Sequence, residues 1–425
     1  MPTETTIHRL DNGIRLAAVR MPHMQSVSLG LWTDAGSRHE SPQEHGMAHF
    51  LEHMLFKGTP TRTAVQISRE IEGLGSSIDG FTVEDHTGYQ AKAPSDQFEK
   101  LFSVLADFYQ HPTLDPADLE SERQVIHEEI SMVRDQPAQL LEDLLSEAAW
   151  GETHPLGRSI TGTDESLDEI RRGDVLDFFQ RAYSGKNTVV SVAGNIDPDS
   201  ILEIVAREFS EISPGAPLHY ESAPQPRVDH RFEEALEQEQ AHVALSLRGV
   251  ARHDPRRYAL KLLDVILGEN MSSRLFQELR EERALCYEVQ SDLVSFADGG
   301  LIQIYVALSP ENLEEALFAI SKVAKELVND GVTAEELEDA KSFVIGQSRI
   351  SLENTASQMM WAGESLLFFD DWLDPEEIHR RIEAVTLEEV HHEAMRLFSP
   401  FRVSSALVGP VESNHIVENW RQSVC

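Results

Sequence analysis

Along the chain, two kinds of hydrophobic pattern alternate. Short alternating or β-branched runs bounded by turn residues occur at "SVSLGLWTDAG", "HTGYQAKA", "NTVVSVAGNI", "AHVALSLRG", "GGLIQIYVAL" and "FRVSSALVG", and each predicts a strand. Between them lie stretches of helical period. In the first half, "APSDQFEKLFSVLADF" is followed by "LDPADLESERQVIHEEI"; in the second, "LSPENLEEALFAISKV" is followed by "VTAEELEDAKSFVIGQS". Each pair predicts a helix led by proline, then a second helix opened by an Asp or Thr cap and acidic residues. Strands interleaved with long amphipathic helices predict an α+β fold, with helices packed on one face of each sheet.

The two halves repeat one another. Leu119 matches Leu337, and at that register Glu129 falls on Gln347 and Glu122 on Ala340. Upstream, Gly58 matches Gly268, which sets His49 on Ala259 and His53 on Leu263. The second half thus keeps the scaffold and lacks the polar residues of the first. The break between them is "SPGAPLHYESAPQPR", with four prolines and one glycine, a linker composition. The expected organisation is a domain over 1–213, a linker over 214–228, and a homologous domain over 229–425. Each piece is of ordinary domain size.

Candidate chemistry sits in "HGMAHFLEHMLFKGT". On a helix, His53 lies about 40° from His49 and Glu52 about 60° to its other side, so the three share one arc. The rest of the helix is apolar all round, which predicts burial. Buried imidazoles and a carboxylate are costly without partners, and a metal compensates all three. Histidines at i and i+4 can grip one cation, and imidazole suits zinc. His-x-x-Glu-His is the inverted zinc-peptidase motif, short enough to need a third ligand. "LESERQVIHEEISMV" offers carboxylates. Relative to Ile126 on its apolar side, Glu122 lies about 40° and Glu129 about 60° away on one flank, while Glu128 lies about 160° away, toward solvent. This geometry does not separate Glu129 from Glu122 as the ligand.

Composition narrows the setting. The apolar fraction of 41% supports a real core, and the formal net charge of −37 argues against a nucleic-acid surface. The acidic surface favours solubility and can steer basic peptides. No run of about 18 apolar residues predicts a membrane span. The stretch "MPTETTIHRLDNGIRLAAVR" has neither a secretory nor a transit pattern. The two cysteines, Cys286 and Cys425, are too few for a disulfide framework, and a cytoplasmic setting is expected.

"HFLEH", followed 76 positions later (129 − 53) by the glutamate of "ERQVIHEEI", resembles the pitrilysin/insulinase family of zinc peptidases. Within that family it is similar to the branch of mitochondrial processing peptidase and its bacterial relatives. "LDNGIRLA", "GSRHE", "HPLGRSITGT", "VAGNI", "QAHVALSLRG" and "SSRLFQELREERALCYEV" follow in family order, so the resemblance covers nearly the whole chain. It implies one Zn2+ per chain held by His49, His53 and Glu129. It implies Glu52 as general base and Glu122 as a supporting acid behind the ligands. In "LREERALCYEV" it implies that Arg280 and Tyr287 contact the substrate backbone and help polarise the scissile carbonyl. Where the family carries Asn-Ala on the edge strand that receives substrate, this sequence has Asp79 and Gly80, which alters the charge beside the cleft. His86, His111 and His127 are taken as surface or structural.

The resemblance further implies a duplicated α/β unit forming half of a clamshell chamber closed by four such domains. One chain supplies two of the four, so a homodimer is expected, with a heterodimer containing a metal-free paralogue as the competitor. The expected activity is endopeptidase cleavage of unfolded, and in particular basic, peptides. A non-catalytic assembly subunit, like core subunits of respiratory complexes that share the fold, is the second hypothesis. The intact ligand set argues against it. A small-molecule zinc hydrolase is the third, and the Arg280/Tyr287 pair with the duplicated architecture points away from it.

Overall fold

The computed structural model describes residues 4–225, 227–399, 401–411 and 415–424; Cys425 lies outside them. The first sheet has six strands, β1 (Glu4–Arg9), β2 (Arg15–Arg20), β3 (Ser26–Thr33), β4 (Ser77–Thr82), β5 (Thr87–Pro94) and β6 (Thr188–Gly194), in the order β1-β2-β6-β3-β5-β4. The second has five, β7 (His230–Glu234), β8 (Ala241–Arg248), β9 (Cys286–Ser295), β10 (Gly300–Leu308) and β11 (Ser404–Gly409), in the order β7-β11-β8-β10-β9. All six strands read from the sequence are present.

The two sheets share one topology. β2 runs parallel to β6 as β7 does to β11, and every other pairing in both is antiparallel. Taking β2 to β6 in order onto β7 to β11 reproduces the whole strand order; β1 is the addition. Duplication is therefore visible in the hydrogen-bonded framework as well as in the helix sequences.

The first five helices of the first half are α1 (Met47–Leu55), α2 (Ala64–Gly73), α3 (Phe98–Gln110), α4 (Pro116–Asp135) and α5 (Pro137–Trp150). The second half has matching helices at Leu313–Asn329, Ala334–Ser351 and Thr355–Phe369. Helices α1 and α3 bury Phe50, Leu51, Leu101 and Leu105 against Leu16, Leu29, Leu31 and Val190 of the first sheet. Among the described residues no helix is long and apolar enough to cross a membrane.

The opposite sheet faces are covered too, which the sequence reading did not foresee. On the first sheet, Ala17, Val19, Trp32, Val189 and Ala193 pack with Met359, Ala362 and Leu366 of helix Thr355–Phe369. That helix is anchored by Ser28 Oγ to Thr355 Oγ1 at 2.8 Å, Ser191 Oγ donating to the Met359 carbonyl at 2.8 Å, and Arg15 donating to the Leu366 carbonyl at 3.0 Å. On the second sheet, Leu141 and Leu145 of α5 pack with Ala244, Ala406 and Val408. The third helix after each β5-type strand thus serves the other half's sheet.

The compact units accordingly are discontinuous. One is Met1–Ile130, Ser159–Glu221 and Arg349–Leu373; the other is Ser131–Arg158, Ser222–Ser348 and Asp374–Cys425. The boundary at Glu221/Ser222 falls within the 214–228 segment, whereas residues 131–158 and 349–373 each join the unit of the opposite half.

Candidate metal centre

Helix α1 is set at both ends by glycine and by a buried acid. Gly46 at its N-cap has φ 89° and Gly58 beyond its C-terminus has φ 128°, conformations a side chain disfavours. Glu40, from "GSRHE", is buried and accepts from the Gly46 and Ala48 amides at 2.9 and 2.7 Å. A carboxylate there satisfies otherwise orphaned amides and complements the helix dipole. Met47, Phe50, Leu51, Met54 and Leu55 are all buried. This fixes the rotation that brings His49 and His53 to one side.

Helix α4 meets that side. Its residues fall as the helical angles predicted: Glu122 is buried, Glu129 half-buried and Glu128 exposed. Glu129 Oε2 lies 3.8 Å from His49 Nε2 and 3.6 Å from His53 Nε2. Ligand atoms of His49, His53 and Glu129 all lie within 4.8 Å of one another, the one such group of three among the described residues. Zinc–ligand bonds of about 2.0–2.2 Å in a tetrahedron place ligand atoms roughly 3.3–3.6 Å apart. Glu129 Oε2 therefore stands within a few tenths of an ångström of that spacing from each imidazole nitrogen, and the donor set of two imidazoles and one carboxylate suits such an ion.

The protonation states suit the same purpose. Burial, reinforced by neighbouring His53, pushes His49 down to about 3, so its imidazole is neutral. Burial opposes charge on His53, but its hydrogen bond to Glu122 and the carboxylates of Glu129 and Glu52 outweigh burial and raise its pKa. Glu122 Oε1 lies 3.0 Å from His53 Nδ1, and Lys57 pairs with its other oxygen. Despite burial, the hydrogen bonds from His53 and Lys57 hold the Glu122 carboxyl below its ordinary value. An anionic Glu122 keeps the His53 proton on Nδ1 and leaves Nε2 as a donor atom for a metal, an outer partner of the kind that orients ligating histidines. His49 Nδ1 is buried with no such partner among the described residues.

Glu52 is 7% exposed, one residue before His53. Burial raises its pKa, opposed by the Thr82 hydroxyl, which donates to Oε2 at 2.9 Å, and by His53. Its carboxylate flanks the metal trio without belonging to it. Sequence reading found His49, Glu52, His53, Glu122 and Glu129. It missed Lys57, although Lys57 stands four residues beyond His53, and Thr82, because the edge strand at Asp79 and Gly80 was placed by the family resemblance alone, with no partner register to set Thr82 against Glu52. Asp79 is exposed and pairs with Gln90 across β4 and β5, on the alternate face from Gly80 and Glu52.

Arg280 and Tyr287 belong to the second unit. Arg280 lies in a wide-wound helical turn, Phe276–Glu282, its guanidinium 4.9 Å from the Phe276 ring centre. Tyr287 is the second residue of β9 and is 80% exposed. Of the unassigned histidines, His86 is buried against Phe81 and Phe368, His111 lies beside Asp107, and His127 bridges Asp164 and Asp168.

Two family models match the chain in tandem: "Insulinase (Peptidase family M16)" over residues 15–164 and "Peptidase M16 inactive domain" over 169–344. An uncharacterized zinc protease of Bacillus subtilis, YmxG, is 35% identical over 399 residues, covering 94% of this chain and 97% of its own. An uncharacterized zinc protease of Mycobacterium tuberculosis, Rv2782c, is 36% identical over 416 residues, covering 96% and 93%. Two solved structures share the fold. A peptidase M16 inactive domain from Pseudomonas fluorescens superposes with TM-score 0.88 at 22% identity, over 96% of this chain and 98% of that one. A protease from Helicobacter pylori gives 0.87 at 20% identity, over 96% and 100%. The first model spans His49 to Glu129 and the second spans the half without those ligands. The chain is a member of the insulinase family of peptidases, family M16.

Proposed function

We propose that this chain is a zinc-dependent endopeptidase acting on unfolded peptides. The observation that carries the reading is the approach of Glu129 Oε2 to both His49 Nε2 and His53 Nε2, with the buried Glu52 carboxylate alongside. His49, His53 and Glu129 would hold a zinc ion, which when bound would supply Lewis-acid activation of water. The chain's own residues do the rest. Glu52 takes the proton of the attacking water and returns it to the leaving amine. Glu122 holds the imidazole of His53 in the right tautomer. The substrate backbone lies extended along a sheet edge, and Arg280 and Tyr287, carried over from the family resemblance, bind it and polarise the carbonyl.

The same reading makes the working form a homodimer with a closed chamber, admitting unfolded chains and excluding folded ones. The net charge of −37 favours basic peptides. The second reading is a subunit that is inactive alone, needing a different partner. It is favoured by the name of the model matching residues 169–344, while the ligand set lies in the part matched by the other model.

The test is mass spectrometry of a pool of basic, unstructured peptides incubated with wild-type protein, with Glu52→Gln, and with chelator. Internal cleavage by wild type alone, abolished by chelator, supports the endopeptidase. Glu52→Gln should keep its zinc and lose at least 100-fold in kcat, on the order of a general base's contribution. No cleavage by zinc-loaded wild type whose size on chromatography is dimeric would move the weight to the partner-dependent reading.

A further inference from the structure

Strand β4 lies at the edge of the first sheet and pairs with β5 alone, Gly80 opposite Tyr89 and Thr82 opposite Thr87. Alternate residues of a strand share a face. Here Ile78, Gly80 and Thr82 share the face that meets α1. Ile78 packs on the main core, Thr82 reaches Glu52, and a Cβ placed on Gly80 would lie 2.5 Å from Glu52 Oε1.

The two oxygens of Glu52 therefore have different surroundings. Oε2 accepts from Thr82 at 2.9 Å, while Oε1 lies over the one position of that face without a side chain. The Thr82 hydroxyl has a second, longer neighbour. Thr87 Oγ1, 3.4 Å from Thr82 Oγ1, gives its own proton to the Ala35 carbonyl at 2.9 Å. One hydroxyl has one proton and a carboxylate only accepts, so in the shorter 2.9 Å contact Thr82 is the donor and Glu52 Oε2 the acceptor.

We propose that Thr82 is a positioning residue for the general base, and that Gly80 provides the space in which the second oxygen works. The inference rests on the reading of Glu52 as that base. The terminal torsion of a glutamate is broad and defines no position by itself. A fixed donor on Oε2 removes that freedom and leaves Oε1 as the oxygen that accepts and returns the proton. Proton transfer requires heavy atoms at about 2.6–3.2 Å, so the angular restriction translates directly into rate.

The experiment uses the full-length, zinc-loaded chain and three variants: Thr82→Val, Thr82→Ser and Gly80→Ala. Hydrolysis of a basic fluorogenic peptide gives kcat and KM, chelator competition gives the zinc Kd, and crystals of the metal-free proteins give the place of the Glu52 carboxylate. Thr82→Val is expected to lower kcat about 10–100-fold, on the scale of an ångström of misplacement, with KM and zinc Kd within twofold of wild type. Thr82→Ser, which restores the hydroxyl, should return kcat to within about threefold. In the metal-free crystals the Glu52 carboxylate should leave its site in Thr82→Val and keep it in Thr82→Ser, and Gly80→Ala should push Oε1 away from β4. Wild-type kcat in Thr82→Val, or losses of kcat and zinc binding in step, would overturn the proposal. If the wild-type chain cleaves nothing, it is the reading of the chain as an endopeptidase on its own that has failed, independently of Thr82. The crystals still decide the positioning: an unmoved Glu52 in Thr82→Val refutes it and a displaced one sustains it.

Discussion

Replacing Glu122 by glutamine keeps the outline of the side chain and removes its charge, and the site makes the consequence calculable. The carboxylate receives His53 Nδ1 at 3.0 Å on one oxygen and the Lys57 ammonium on the other. An amide has one acceptor end and one donor end. With its oxygen toward His53, its NH2 opposes the Lys57 ammonium. With its oxygen toward Lys57, its NH2 requires a bare His53 Nδ1, and the imidazole proton moves to Nε2, the nitrogen 3.6 Å from Glu129 Oε2 that is needed for the metal. Either orientation is penalised. Loss of such an outer partner weakens metal binding about 10–100-fold, equal to about 1.4–2.7 kcal/mol. Chelator competition reads this directly. A thermal assay reads it through linkage: zinc at 100 times the wild-type Kd adds about 2.7 kcal/mol of stability, and a 30-fold weaker variant at the same zinc gains about 0.9 kcal/mol. Adding Lys57→Met frees the amide to face His53 and should recover most of the affinity. A zinc Kd for Glu122→Gln within twofold of wild type would refute the argument.

Three further outcomes are expected. Glu129→Ala should abolish stoichiometric zinc binding, measured by metal analysis after dialysis, while leaving the far-UV circular dichroism unchanged, because Glu129 is half-buried and carries none of the core. Gly363→Ala should lower stability by about 1–3 kcal/mol in urea melts despite the helix preference for alanine, since its Cβ would lie 2.3 Å from the buried Trp32 ring; adding Trp32→Phe should restore most of the loss, and failure to do so would dissociate that ring from the effect. Asp264, fully buried with its carboxyl pushed up to about 6 chiefly by burial, holds in the folded state a proton that the unfolded chain releases near 3.8. Its contribution to stability is full below about 3.8 and is lost as pH rises through about 6. Asp264→Asn should therefore gain on wild type at pH 7.5 relative to pH 4, by up to about 3 kcal/mol at about 1.36 kcal/mol per pH unit; an equal change in melting temperature at both pH values would exclude it.

The sequence made the metal trio legible because helical period alone placed His49, Glu52 and His53 on one arc, and placed Glu122 and Glu129 on the inner flank of another helix. Local geometry gave the candidates on the two helices, and the family resemblance, not the angles, chose Glu129 over Glu122. Local geometry failed at β4. That strand's "SIDGFT" mixes polar and apolar residues, as edge strands do, and its partner β5 had to be known before Thr82 could be set against Glu52. The strands β1, β2, β7 and β9 were missed for related reasons: β1 and β7 have no buried residue and β9 has only two, while β2 is buried on both faces and shows no alternation. The cover on the outer faces was invisible because nothing local says which sheet an amphipathic helix will choose. Helix Thr355–Phe369 follows the second half's strands and still packs on the first half's Trp32.

That exchange sets an order of events during synthesis. The first sheet has all its strands once Gly194 has emerged, yet the helix that covers Ala17, Val19, Trp32, Val189 and Ala193 ends at Phe369, 175 residues later (369 − 194). At about 5–20 residues per second, that apolar face stays bare on the nascent chain for roughly 10–35 seconds. The protein's most aggregation-prone interval therefore belongs to its biogenesis, and a chaperone that shields sheet faces will find its client here between the emergence of β6 and that of Phe369.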